Sequence, residues 1–188
     1  MKRYLPLFVI VALLFVAIAA VSAEEKKEVA KPKYVGLTAC KACHSSDKIG
    51  GTEYKDYEKD PHANAFKTLL NDESKAIATK MGIEDASKSE KCLKCHVTAY
   101  NLKDQQGPKY SVEEGVTCEA CHGAGEFYMK MNIMKDQKLC LENGLVVPDA
   151  KLCKKCHNEE SPTYKPFEFA AKWKAIEHGK KKAAAGTV

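Results

Sequence analysis

The chain has 188 residues, room for one ordinary domain and too short for two. Its 30 basic and 25 acidic side chains give a formal net charge of +5. Beyond the first 23 residues the balance is 28 basic against 25 acidic, a net +3, which is too small to build a nucleic-acid-binding face.

In chain order, Lys2 and Arg3 precede an almost wholly apolar run from Leu5 to Val21, and Val21-Ser22-Ala23 sets small residues before Glu24-Glu25. This is the layout of a secretory signal peptide over residues 1–23, cleaved near Ala23. An uncleaved anchor is the alternative, because 17 apolar residues reach the low end of a membrane span. Pro6 and the small-residue ending favour cleavage, so the protein is expected in the periplasm or otherwise exported. Residues 24–33 read as a flexible charged linker. Residues 34–179 read as the folded domain, and residues 180–188, opened by Lys180 to Lys182, as a basic disordered tail.

Within the domain, Asp60-Pro61-His62 opens a helix: Asp60 can cap it and Pro61 suits its first position. His62, Ala65, Phe66 and Leu69 then fall on one helical face. Asp72 to Met81 reads as a second short helix with Gly82 as its stop. Gln105-Gln106-Gly107-Pro108 marks a loop. Leu145-Val146-Val147-Pro148 is the one strongly β-prone run and is too short to build a sheet. Phe167 to His178 reads as a last helix, with Gly179 just past its end.

Around these lie four segments of one pattern: Cys40-Lys41-Ala42-Cys43-His44, Cys92-Leu93-Lys94-Cys95-His96, Cys118-Glu119-Ala120-Cys121-His122 and Cys153-Lys154-Lys155-Cys156-His157. Their first cysteines are 52, 26 and 35 residues apart, so they do not form a repeat of constant period. Two thiols at this separation can add across the two vinyl groups of one porphyrin, and the next residue, His, then lies under the iron. Structural zinc needs two Cys pairs per metal and no His directly after each. A thioredoxin-like motif needs a βαβ context that this sequence lacks. The pattern therefore predicts four haem c groups. Cys40, Cys43, Cys92, Cys95, Cys118, Cys121, Cys153 and Cys156 would tether them, with His44, His96, His122 and His157 as proximal ligands. The ninth cysteine, Cys140, reads as a buried unreacted thiol; an intermolecular bridge or a reactive thiol is the alternative.

Four haems in the 165 residues after the leader leave roughly 41 residues for each. The porphyrin faces must then supply much of the core. The expected fold is mainly α with little regular secondary structure, a compact multihaem cytochrome with a haem-packed core. Haem propionates would bring the net charge nearer neutral.

Six histidines occur in the chain, and four are used proximally. Only His62 and His178 remain, so at most two haems can take two imidazoles. His62 is a distal-ligand candidate on its apolar face, against the plainer reading of a satisfied core histidine. His178 is the other, against a His favoured at a helix C-terminus. Met129, Met131, Met134 and Met81 are candidate thioether ligands, although methionine is more often core filler. A further haem would then be five-coordinate.

The chain resembles the tetrahaem cytochrome c-554 (c-554/c-prime) family from Tyr34 to His178. The resemblance is carried by Tyr34-Val35-Gly36, by the stretch Tyr57-Glu58-Lys59-Asp60-Pro61-His62-Ala63-Asn64-Ala65-Phe66, and above all by Gly115 to Gly125 around the third segment. It implies a compact, mainly helical fold with haems stacked in close pairs. It also implies His62 and His178 as distal ligands of the third and fourth haems, and a five-coordinate second haem. Two departures stand out. The family's Gly-Pro-Gly is Gly123-Ala124-Gly125 here, and Asn132 stands where a distal His is expected, which makes Met131 the candidate ligand for the first haem. Members of the family pass electrons between periplasmic redox enzymes and membrane quinone- or oxidase-linked acceptors; some are tied to hydroxylamine oxidation and some react with nitric oxide.

The function expected is an electron relay between redox partner proteins, a carrier rather than a dedicated enzyme. The alternative is reduction of a small nitrogen species, such as nitric oxide, nitrite or hydroxylamine, at a five-coordinate haem. A polymeric wire is disfavoured by the shortage of histidines.

Overall fold

The computed structural model describes residues 30–178. The leader, the linker up to residue 29, Gly179 and the basic tail lie outside the described residues. From Pro32 onward the chain forms one compact unit.

Its helices are short. In chain order they are α1 (Leu37–His44), α2 (Glu53–Tyr57), α3 (Ala65–Thr68), α4 (Asp72–Lys80), α5 (Glu90–His96), α6 (Cys118–His122), α7 (Met131–Met134), α8 (Gln137–Glu142), α9 (Ala150–Cys153) and α10 (Phe169–Ile176). Single 3₁₀ turns lie at Pro61–Asn64, Lys103–Gln105 and Val112–Glu114. Among the described residues there is no strand, and pairing is limited to the isolated bridges Tyr34–Gln106 and Ser46–Gly51. The mainly helical class read from the sequence is what the chain adopts.

Side-chain caps start several of these elements. The carboxylate of Asp60 accepts from the His62 N–H, Asn71 caps α4, Asp136 caps α8 and Asp149 caps α9. The cap at Asp60 and the helix over Asp72–Lys80 with Gly82 past its end follow the sequence reading. Gly82 takes φ +66°, the left-handed conformation that ends a helix at little cost for glycine. Asp60 differs in one respect: it opens a 3₁₀ turn, and the α-helix begins only at Ala65.

One expectation needs correction. The last helix stops at Ile176, because Glu177 turns extended with ψ 138°. His178 therefore lies beyond the helix, where its Nδ1 donates to the Ile176 carbonyl at 3.0 Å, an acceptor that the helix end leaves without a partner. The run Leu145–Pro148 builds no sheet, as its length led one to expect, and Val146 donates its N–H to the His122 carbonyl at 2.9 Å.

The apolar core is small. Leu69, Ala78, Ala86, Leu93 and Val97 form its centre, with Phe66, Ile83, Tyr100, Tyr110 and Val112 packed around them. Polar ties across long sequence separations do the rest. The Thr98 hydroxyl accepts from the Thr117 N–H at 2.7 Å and donates to the Gly115 carbonyl at 3.1 Å, and the Tyr110 hydroxyl donates to the Thr98 carbonyl at 2.8 Å. Glu119, inside the third Cys-x-x-Cys-His segment, is 2% exposed. Its carboxylate accepts from the N–H groups of Val35 (2.8 Å), Gly36 (3.0 Å) and Gly125 (2.7 Å). Burial pushes its pKa up, while the three N–H groups oppose that rise. This contact locks the chain before the first segment against the third.

Replacing Glu119 tests that lock. In Glu119→Gln the amide nitrogen takes the place of one carboxylate oxygen and faces a main-chain N–H, leaving a buried donor unsatisfied. The expected loss is about 1–3 kcal/mol in denaturant unfolding, and Glu119→Ala, which strands all three donors, should lose more. Unchanged unfolding midpoints for both variants would contradict it.

Candidate haem-binding site

All eight cysteines of the four segments are half-buried free thiols, whereas Cys140 is buried, 2% exposed, with its Sγ 3.3 Å from the Ile133 carbonyl. The eight are partly exposed, and the ninth is buried, as the sequence reading of Cys140 had it. In a haem-bearing protein the eight sulfurs would be thioethers, so their positions matter more than their titration. Cys40 and Cys118 interact as a hydrogen-bonded pair, as do Cys95 and Cys156, and Cys121 feels the charge of Cys153. As thiols they would differ: burial pushes Cys121 up to about 11, and burial together with Cys95 pushes Cys156 up to about 12, whereas the hydrogen bond with Cys40 holds Cys118 below its ordinary value. Lys94 of the second segment also pairs with Glu160, just past the fourth. The sulfurs thus run first to third, third to fourth, fourth to second. Among the described residues no three His, Cys, Asp or Glu side chains gather as a metal site.

Five of the six imidazoles are held through Nδ1. His44, the last residue of α1, faces the Glu53 carboxylate at 3.2 Å. His62 faces the Asp60 carboxylate at 2.8 Å. His96 faces the Ala65 carbonyl at 2.6 Å, His122 the Val146 carbonyl at 3.2 Å and His178 the Ile176 carbonyl at 3.0 Å. Carboxylates and carbonyls only accept, so in these contacts Nδ1 is the donor and Nε2 is the nitrogen left for a ligand. His157 is held differently, by stacking on Phe167 at 4.8 Å between ring centres. Burial holds His122 and His157 below the ordinary imidazole value, which keeps them neutral.

Two pairs of imidazoles face each other. His62 and His157 have ring centres 5.9 Å apart at 88°, and His122 and His178 6.0 Å apart at 67°. Two imidazoles ligating one iron from opposite sides have ring centres about 6 Å apart, given metal–nitrogen bonds near 2 Å. The donor set fits that geometry: three of the four rings are anchored through Nδ1, and a thiol pair directly precedes one His of each couple. His178 meets the third segment and His62 the fourth, which crosses their order along the chain. His44 and His96 meet no second imidazole among the described ring contacts. Met131, at the first position of α7, is 56% exposed.

Residues 39–123 match the family model for cytochrome c554 and c-prime. That stretch of the chain is similar to the cytochrome c-554 family. The match covers the first three Cys-x-x-Cys-His segments. A curated relative, cytochrome c-554 of Nitrosomonas europaea, is 26% identical over 128 residues, covering 65% of this chain and 51% of the relative. The chain thus spans about half the length of that relative. No solved structure matches.

Several residues of the site carry no sequence-level mark. Glu53, the Val146 carbonyl and Glu119 act across turns or long separations. Only Asp60, two residues before His62, had a local signal, and that signal pointed to a cap alone.

Gly123 makes the third segment buildable. It sits at φ +77°, and a Cβ there would lie 2.9 Å from the Gly144 carbonyl and 3.1 Å from the Val146 side chain. Gly123→Ala is therefore strained in both backbone and space. It should lose at least about 1–2 kcal/mol of stability in denaturant unfolding and displace the Val146 carbonyl from His122. A variant as stable as the parent would contradict that role.

Proposed function

We propose that this chain is an exported tetrahaem c-type cytochrome that relays electrons between redox partner proteins. The observation that carries this reading is the pair of facing imidazole couples, each containing the His of a Cys-x-x-Cys-His segment. Haem bound at these segments supplies one-electron exchange at its iron. The chain's own residues do the positioning. The cysteine pairs fix each group by two bonds, the Nδ1 partners aim Nε2, and the sulfur contacts set the segments in the order first, third, fourth, second. Such a string of neighbours supports a relay better than four isolated centres would. The charged run and apolar stretch ending at Ala23 support export.

A second reading rests on His44 and His96, which face no second imidazole. A haem without a second strong ligand can bind a small nitrogen species, and nitric oxide titration of the oxidised and reduced protein would detect it. All six histidines are engaged in ligand positions, so none is left to deliver protons. That favours the carrier over a dedicated reductase, with Met131 the remaining candidate to close the first haem.

The intact mass of the purified protein tests the cofactor count. Four haem additions are expected, and three or fewer would contradict the proposal. His62→Ala tests the ligand couples. One low-spin haem should become high-spin while the other bis-histidine signal persists, and an unchanged spectrum would remove His62 from the ligand set.

A further inference from the structure

The Nδ1 partners of the histidines divide into charged and neutral ones. His44 and His62 face carboxylates, Glu53 at 3.2 Å and Asp60 at 2.8 Å. His96, His122 and His178 face main-chain carbonyls. A carboxylate draws the Nδ1 proton more strongly than a carbonyl does and makes Nε2 a stronger donor. A stronger donor favours the ferric state and lowers the reduction potential. Neither carboxylate is free in water: the Glu53 side chain is 23% exposed and that of Asp60 13%. Solvent and salt therefore screen them only in part.

We propose that Asp60 and Glu53 are positioning residues that grade the potentials along the relay, Asp60 holding the haem between His62 and His157 below the haem between His122 and His178, and Glu53 lowering the haem on His44. This rests on the ligand assignment given under Proposed function. The two bis-histidine haems are the cleanest comparison, because their iron ligands are the same and only the outer partners differ. Cys121 of the third segment and Cys153 of the fourth interact electrostatically. One electron shared between their haems would then rest mostly on the third, which is reduced as the fourth is reoxidised, with no proton or co-reactant needed. One oxygen of Asp60 serves both the His62 N–H and Nδ1, each at 2.8 Å, so the charge is fixed where it acts. Lys172 lies near His157 and acts in the opposite sense.

Asp60→Asn isolates the charge. Asn keeps an oxygen for both hydrogen bonds and is itself a good cap. Redox titration of the purified holoprotein, followed by absorbance and electron paramagnetic resonance, should show one bis-histidine haem shifted at least tenfold towards the reduced form. That is 59 mV for one electron. The haem of His122 and His178 should not move, and Asp60→Glu should return the potential towards its original value. Glu53→Gln, at a more exposed site, should raise a different haem in the same sense. If both neutral variants keep all four parental potentials, the proposal is wrong. Were the ligand assignment at fault instead, the unmodified protein would lack two bis-histidine signals before any substitution, which separates the two failures.

Discussion

The shortage of buried apolar side chains governs this structure. Only eight hydrophobic residues are buried among those described, and three of them are alanines and one is Cys140. A unit of this length normally closes on a continuous side-chain core. Here one small cluster around Leu69 and Leu93 serves the middle of the chain, and the rest is held by buried polar ties. Glu119 gathers three main-chain N–H groups, and Thr98 and Thr117 join the end of the second segment to the start of the third. These contacts hold the Cys-x-x-Cys-His segments near one another without filling the space between them. In the haem-bearing protein that we propose, porphyrin faces supply the missing apolar area.

The second limit is the number of histidines. Four follow Cys-x-x-Cys and only two others exist. The fold brings both of those against proximal ones, His178 to His122 and His62 to His157, and leaves His44 and His96 without an imidazole partner among the described contacts. The haems would therefore differ in coordination, and then again in the charge behind each ligand. A relay gains direction from such differences. Any chemistry beyond electron transfer would sit at the His44 or His96 positions.

Much of this was legible in the sequence. The four segments, the short helices, the Asp60 cap and the Gly82 stop all depend on residues within a few positions of one another. What the sequence hid depends on contacts between distant residues. Glu119 meets Val35 and Gly36 more than eighty positions away, and nothing local marks an acid between two cysteines as a lock. The pairing of His62 with the fourth segment and His178 with the third is equally non-local. The last helix misled because its periodic pattern continues through His178, whereas the chain turns extended at Glu177 to bring that imidazole back onto its own helix end. Leu145 to Pro148 builds no sheet, as its length implied; what the sequence hid is that Val146 bonds to His122 through both its N–H and its carbonyl.

The account turns on two irons having two imidazoles each and two having one. Electron paramagnetic resonance of the fully oxidised holoprotein, integrated against its haem content, measures this directly. We expect two low-spin bis-histidine haems and two haems of other coordination. Four bis-histidine signals, or none, would contradict the ligand couples on which the account rests.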